Sequence, residues 1–188
     1  ELHYLEKKGY DMVCSARYLI DENGHELETS DKKIVEEQLQ AYLLYLNNIY
    51  HSTVLIKKSV LERVGGYRRY LANDYELWLR IMKMKCKIGY IEKKLVKYRI
   101  RGNSITGKNL YLQAIDCSYF RKLYRQNKIL NDYDEKDYKS YVHRYLKSGD
   151  RAIDNFNRSV EKRKKTKEKV QQKKYIEALC EYMGAVLG

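Results

Sequence analysis

The chain lacks proline, contains only two phenylalanines and one tryptophan, and has no long apolar run. A helix needs about 20 consecutive apolar residues to cross a bilayer, and no stretch of the chain approaches that length. The first residues also contain no apolar signal segment. These absences argue against a membrane-spanning protein. We expect a cytoplasmic protein, with a peripheral position at the inner face of the membrane left open.

Cysteine is scarce and scattered. The four cysteines, Cys14, Cys86, Cys117 and Cys180, show no C-x-x-C spacing. A zinc site or a disulfide framework would require closer or patterned spacing. The sequence therefore predicts reduced thiols, as is usual for cytoplasmic proteins.

Tyrosine and positive charge are abundant. The 188 residues include 20 tyrosines, and 38 lysines and arginines against 25 acidic residues give a net charge of +13. A hydrophobic fraction of 44% is typical of a globular protein, and the length suits one domain or slightly more. Tyrosine excess fits half-buried packing and sugar-stacking surfaces equally well.

Alternating periodicities indicate an α/β layer architecture. Strand patterns are followed by helical patterns up to about residue 106, and from Gly107 onward the pattern is almost wholly helical. The predicted elements are strands at 12–20, 52–56, 87–91 and 94–99, a helix at 31–46, a short helix capped by Ser59, and a helix that begins near Asp74.

The most informative segment runs from Val64 to Arg80. The Gly65-Gly66 pair permits a sharp turn, and an apolar face then recurs at helical spacing, with Trp78 predicted to lie in the core. Glu76 and Arg80, four residues apart, are predicted to form an ion pair on the surface. Asp74 falls where this helix begins. A carboxylate there can cap free backbone N–H groups, or it can serve as a functional group. Local sequence alone leaves both interpretations open.

Three blocks, at residues 49–67, 73–80 and 95–99, together resemble the acceptor-side half of family 2 glycosyltransferases. Members of that family are inverting, nucleotide-sugar-dependent enzymes of the GT-A fold. The resemblance covers roughly residues 1–106. It implies an acceptor-side half of a GT-A domain there, followed by a basic helical extension at residues 107–188.

The resemblance also assigns roles to single residues. Asp74 matches the general base of the family, which usually follows a glutamate; this chain has Asn73 instead and so lacks a second carboxylate. His51 matches a residue that lines the acceptor side of the cleft. Arg99 and Arg101 lie in a segment similar to a loop that closes near the donor phosphates. Asn73 is a candidate for binding substrate beside the base.

Family members hold a divalent metal, Mg or Mn, through an upstream Asp-x-Asp motif. The literal match in this chain, Asp132-Tyr133-Asp134, lies in a polar stretch beyond the similar region and is interpreted as a solvated turn. We therefore expect the metal ligands of the intact enzyme upstream of Glu1. The resemblance implies that the chain is a fragment that does not transfer sugar alone.

The extension carries most of the excess positive charge, which is densest at residues 158–174. Too few apolar residues accompany it for membrane insertion. Contact with an anionic membrane surface, at about 1 kcal/mol per basic residue, and a solvated helix are the two interpretations. Nucleic acid is disfavoured as a partner, since no RNA-binding, zinc-finger or helix-turn-helix signature is present.

The main hypothesis is an enzyme that transfers a sugar from a nucleotide-sugar donor to a hydroxyl of a glycan or lipid-linked acceptor, in bacterial surface polysaccharide synthesis. The alternative is a non-catalytic basic module that binds an anionic membrane surface or nucleic acid. The absence of a second carboxylate at Asn73 gives this alternative some support.

Overall fold

The computed structural model describes residues 1–27, 36–100, 109–131, 134–147, 153–160 and 162. Within these residues the chain is α/β, as predicted, and its mixed four-stranded sheet is compatible with a Rossmann-like domain. The chain divides into two compact units, Glu1–Asp134 and Glu135–Gly188. The division predicted between residues 106 and 107 stays a prediction.

The sheet is built around strand β1, Met12–Ile20, whose predicted bounds are confirmed. Strand β4, Ile88–Arg99, pairs with β1 in parallel along its whole length. Two short antiparallel strands share the other edge: β2, Glu26–Leu27, pairs with the end of β1, and β3, Val54–Ile56, pairs with its start. Strand β1 is therefore the centre of the sheet.

Strand β4 replaces the two strands that the sequence predicted. Ile91 pairs with Ser15 and Lys94 with Ala16, so that residues 92 and 93 are accommodated as an irregularity inside one strand. A bulge absorbs extra residues without ending the ladder. The charged residues that were predicted to form a turn are exposed along the strand.

Helices flank the strands in the first unit, and helix α6 lies in the second. Their bounds are α1 Leu2–Lys8, α2 Glu36–Leu43, α3 Lys58–Arg63, α4 Asn73–Lys83, α5 Leu110–Arg125 and α6 Glu135–Leu146. Residues 153–160 of the second unit are also helical. The helix predicted at residues 31–46 ends at Leu43, and its predicted start lies outside the described residues.

Two local predictions between α2 and α3 are wrong. A 3-10 turn precedes β3, because the N–H and hydroxyl of Thr53 both donate to the carbonyl of Tyr50, at 2.8 Å each. Ser59 lies inside α3, and Lys57 takes the capping position instead. The backbone N–H of Lys57 still donates to the carbonyl of Asp11 at 3.1 Å, so the helix starts directly after the sheet pairing ends.

Helix α4 is buried on all sides. Every residue from Tyr75 to Met82 is buried, including Trp78, whose predicted core position is confirmed. A helix that is enclosed all round lies in the interior of a domain instead of on its surface. Helix α5 packs against α4 and contributes buried residues such as Phe120 to the core. Packing against α5 thus helps to fix the position of α4.

A second cluster joins α1, α2 and the sheet through the carboxylate of Glu36. This carboxylate accepts hydrogen bonds from the Tyr4 hydroxyl at 2.9 Å, the Tyr90 N–H at 3.1 Å and the Tyr10 hydroxyl. The Tyr4 and Tyr10 rings stack with centroids 5.4 Å apart. Gly89 leaves room for them, since a Cβ there would lie 2.7 Å from Tyr10 ring atoms.

This cluster predicts a pH dependence of folding stability. Burial opposes ionisation of Glu36, but the hydrogen bonds from Tyr10, the Tyr90 N–H and Tyr4 outweigh it and lower the pKa of the carboxyl below its usual value. A folded-state pKa below the unfolded one stabilises the fold above the unfolded pKa, and this contribution is lost as the pH falls through the folded value. Denaturant titrations should therefore show the largest stability difference between wild type and Glu36→Gln near neutral pH.

The difference should shrink below about pH 4, the ordinary range of a glutamate. Glu62→Gln is the control, because Glu62 is exposed and, among the described residues, forms an ion pair with Lys58 one helix turn away. A wild-type advantage over Glu36→Gln that is constant from pH 7 to pH 3 would contradict the prediction.

Candidate functional site

The glycine turn that precedes α4 is present as predicted. Helix α3 ends at Arg63, and Gly65 and Gly66 follow with φ angles of 82° and 66°, in the left-handed region that favours glycine. The N–H of Gly66 donates to the carbonyl of Leu61 at 2.9 Å, which closes the helix end. The turn directs the next residues towards the start of α4.

Asp74 lies in the first turn of α4 but is not its capping residue. The helix begins at Asn73, Ala72 holds the capping position, and Asp74 is the second helical residue. One carboxylate oxygen of Asp74, Oδ1, accepts the backbone N–H of Tyr75 at 2.6 Å. The interpretation of Asp74 as an N-cap is therefore wrong by two positions, although its carboxylate still binds a free N–H of the first turn.

Asp116 performs the capping function from another helix. Its Oδ2 accepts the backbone N–H groups of Leu71 at 3.1 Å and Ala72 at 3.2 Å. Asp116 is 1% exposed and lies in α5 beside Ile115 on the buried side of that helix. Sequence reasoning missed this residue, and the signal that could have found it is a charged residue among the apolar positions of an amphipathic helix.

The Asp74 carboxylate has a polar neighbour on a loop. The side-chain amide of Asn47 lies 3.4 Å from both carboxylate oxygens. Cys117 lies near the charge of Asp74. Burial is the main cause that raises the pKa of the Cys117 thiol to about 12, and the charge of Asp74 adds to the increase. Because Oδ1 is taken by the Tyr75 N–H, Oδ2 has only the long Asn47 contact among the described residues. Oδ2 is therefore the less engaged of the two carboxylate oxygens.

His51 and Tyr67 form a pair close to this carboxylate. Nε2 of His51 lies 2.8 Å from the Tyr67 hydroxyl, and the two rings meet edge to face at 5.4 Å. Partial burial, with the charge of Asp74 as the second cause, raises the pKa of Tyr67. Both side chains are exposed, and His51 also lies 6.1 Å from the buried Trp78 ring. Tyr67 was not predicted, because one tyrosine among 20 carries no signal of its own.

The other predicted residues have different settings. Asn73 is half-buried at the first position of α4, directly before Asp74. Arg99 ends β4, and its Nη1 donates to the carbonyls of Asp21 at 3.1 Å and Glu22 at 2.6 Å. Arg99 thus ties the end of β4 to the turn after β1. Arg101 lies outside the described residues, and a phosphate contact by either arginine stays a prediction.

Metal ligands are not clustered in the part of the chain that the structure describes. No group of three or more His, Cys, Asp or Glu side chains there has the geometry to hold a metal ion. The described residues therefore offer no ligand set for the divalent metal that the resemblance implies, and its ligands upstream of Glu1 stay a prediction. Asp132 and Tyr133 of the Asp-x-Asp match lie outside the described residues.

Two known proteins are similar to this chain. The chain is 26% identical over 131 residues to an uncharacterized glycosyltransferase of Methanocaldococcus jannaschii, covering 68% of this chain and 45% of that protein. It is 27% identical over 131 residues to the O-antigen biosynthesis glycosyltransferase WbnJ of Escherichia coli, covering 68% of this chain and 51% of that protein. This chain is similar to glycosyltransferases.

The glycosyltransferase similarity agrees with the broad prediction from sequence and supports a transferase role. The chain spans about half the length of the curated relatives it matches. No protein-family model and no solved structure matches it. Within the described residues, no helix is both long and apolar enough to span a membrane.

Proposed function

We propose that this chain forms the acceptor side of an inverting glycosyltransferase of family 2, with the GT-A fold and a nucleotide-sugar donor. The observation that carries the proposal is the setting of Asp74: a half-buried carboxylate fixed at the start of a buried helix, with one oxygen bound to the Tyr75 N–H and the other available. The similarity to named glycosyltransferases supports the same reaction class.

Asp74 acts as the general base in this proposal. The acceptor hydroxyl loses its proton to Oδ2 as its oxygen attacks the anomeric carbon, and the nucleotide diphosphate leaves from the opposite face. A single displacement inverts the configuration and needs one carboxylate within hydrogen-bond reach of the hydroxyl. The Tyr75 N–H and the start of α4 hold the carboxylate in a fixed position, which a general base requires.

His51 and Tyr67 position the acceptor. Their hydrogen-bonded pair is exposed and neighbours the Asp74 carboxylate, so that it offers polar groups to sugar hydroxyls on the side where the base acts. Asn73 flanks the carboxylate on α4, and Asn47 flanks it from the loop that follows α2. Amide and hydroxyl groups of this kind bind sugar hydroxyls through hydrogen bonds. Asp74 then accepts the proton of the reacting hydroxyl.

The donor side would be completed by a nucleotide-binding half of the kind that the family has, with its Mg or Mn. That metal would stabilise the leaving diphosphate when bound. Arg99 and Arg101 are proposed to contact the donor phosphates, since guanidinium groups bind phosphate through paired, planar hydrogen bonds. For Arg99 this requires that the guanidinium keep free donors beside its two carbonyl contacts.

The acceptor is proposed to be a growing surface glycan or its lipid-linked form. The name of the Escherichia coli relative, an O-antigen biosynthesis glycosyltransferase, supports a role in polysaccharide synthesis. A cytoplasmic enzyme that meets such an acceptor works beside the inner face of a membrane. The basic residues 158–174 would favour that position through attraction to anionic lipids.

The stereochemistry of the product tests the proposal. The protein that carries this chain should be incubated with a panel of nucleotide sugars and hydroxyl acceptors, and the anomeric proton coupling of the product should be measured by NMR. We expect a linkage of configuration opposite to that of the donor. A product that retains the donor configuration would overturn the inverting mechanism, because retention requires a different constellation of groups.

A further inference from the structure

The guanidinium of Arg17 has an unusual environment in the middle of the sheet. Arg17 is half-buried on β1, and its Cζ lies 3.3 Å from the centroid of the Tyr50 ring and 4.5 Å from that of Tyr98. The two aromatic rings thus hold the guanidinium by cation–π contact. Such contacts contribute about 0.5–2 kcal/mol and fix the plane of the group.

The hydrogen-bond donors of Arg17 are not used within the described residues. Its Nε is enclosed and has no hydrogen-bond partner, and the structure pairs the side chain with no carboxylate there. Arginine carries five N–H donors, and ring faces do not replace the oxygen atoms that these donors require. The two Nη groups of this half-buried guanidinium, with no oxygen of the described residues accepting from them, are therefore available to an anion from outside these residues.

The two tyrosines that contact Arg17 are adjacent in sequence to residues of the candidate site. Tyr50 directly precedes His51, which bonds to Tyr67 beside the Asp74 carboxylate. Tyr98 directly precedes Arg99 at the end of β4. The residues that hold Arg17 are therefore the immediate chain neighbours of two residues proposed to bind substrate.

We propose that Arg17 binds an anionic group of a substrate, a phosphate or a carboxylate, through its two Nη atoms. With Nε enclosed, the terminal pair of nitrogens presents a planar fork that matches two oxygens of one anion. The phosphate of a lipid-linked acceptor and the carboxylate of an acidic sugar share this chemistry. The site is argued from Arg17 itself, and only its assignment to a sugar-transfer substrate rests on the proposed function.

Calorimetric titration of the 188-residue chain at low salt tests this site. Inorganic pyrophosphate is the phosphate probe, and D-glucuronate is the carboxylate probe. We expect the wild type to bind at least one of them and Arg17→Gln to weaken that binding by at least about tenfold. Binding of pyrophosphate alone assigns the site to phosphate, and binding of glucuronate alone assigns it to a carboxylate.

Lys94→Gln is the matched control. Lys94 lies on the neighbouring strand with its Nζ 5.0 Å from the Tyr18 ring, so that the control removes one charge and one cation–π contact from the same sheet. The affinity of Lys94→Gln for the probe should stay within about twofold of wild type, because only long-range electrostatic attraction is lost. Equal weakening in both variants, or no binding of either probe by the wild type, would overturn the proposal.

A second variant keeps the test decisive if Arg17→Gln does not fold. Arg17→Lys retains the charge over the rings but removes the planar pair of nitrogens. It should also bind the probe measurably more weakly than wild type. Unchanged binding in Arg17→Lys would contradict a two-nitrogen contact. The titration measures binding without sugar transfer, so that a failure of the base assignment and a failure of the anion site are seen separately.

Discussion

Replacing Asp74 with asparagine in the protein that carries this chain is expected to lower sugar transfer by about 10²–10⁴-fold, the usual contribution of a positioned general base. The amide oxygen can still accept the Tyr75 N–H that now binds Oδ1 at 2.6 Å, so that the start of α4 is kept. What is lost is the oxygen that accepts the proton of the acceptor hydroxyl. Steady-state kinetics with a labelled nucleotide sugar should show the loss in kcat, with donor affinity nearly unchanged.

Glu62→Gln is the matched control for this loss. Glu62 carries a carboxylate in the same unit. Its side chain is 65% exposed, and its ion pair in the described part of the chain is with Lys58. The control should transfer sugar at the wild-type rate. If Asp74→Asn retains more than about a tenth of the wild-type kcat, Asp74 is not the base, because this loss is far below that expected for general-base removal.

The parts of the fold that depend on short-range pattern were predictable. The bounds of β1 follow from a mainly apolar segment that a polar stretch at 21–24 ends, and the glycine turn follows from the two left-handed residues at 65 and 66. The buried position of Trp78 follows from helical spacing. Each of these predictions uses residues that are close in sequence, and the structure confirms them.

The surroundings of Asp74 depend on contacts that local sequence does not encode. Asp116 reaches the N–H of Ala72 across 44 residues, and it does so because α5 packs against α4. That packing also explains the most consequential error. Glu76 and Arg80 were interpreted as a surface ion pair from their spacing of four, yet both are 1% exposed. Spacing predicts that two side chains can meet, but only tertiary packing decides whether water reaches them.

Burial gives the Glu76 and Arg80 pair a structural role. Nε and Nη2 of Arg80 each donate to a different oxygen of Glu76 at 2.7 Å, which makes a paired, two-bond contact. The same guanidinium donates to the carbonyls of Val64 and, at 2.6 Å, of Gly66. Arg68 adds a 3.2 Å contact to Glu76. The pair therefore fastens the glycine turn, and with it the chain that leads to Tyr67, onto α4.

Arg80→Met is expected to lower the free energy of unfolding by about 3–5 kcal/mol, since it leaves the Glu76 charge buried with only the partly exposed Arg68. The double variant Glu76→Met, Arg80→Met should lose much less stability than the sum of the losses of the two single variants. Both charges are removed, so that neither is left buried without its partner. Denaturant unfolding of all four proteins measures this coupling.

Glu62→Gln again provides the comparison, now for stability. It breaks an exposed pair with the same spacing of four, whose side chains are 88% and 65% exposed, and should cost less than about 0.5 kcal/mol. Losses of similar size in Glu62→Gln and Arg80→Met would mean that the Arg80 pair is solvated after all. A large loss in Arg80→Met with additive single variants would instead place the stabilisation in the carbonyl contacts of the turn, and not in the ion pair.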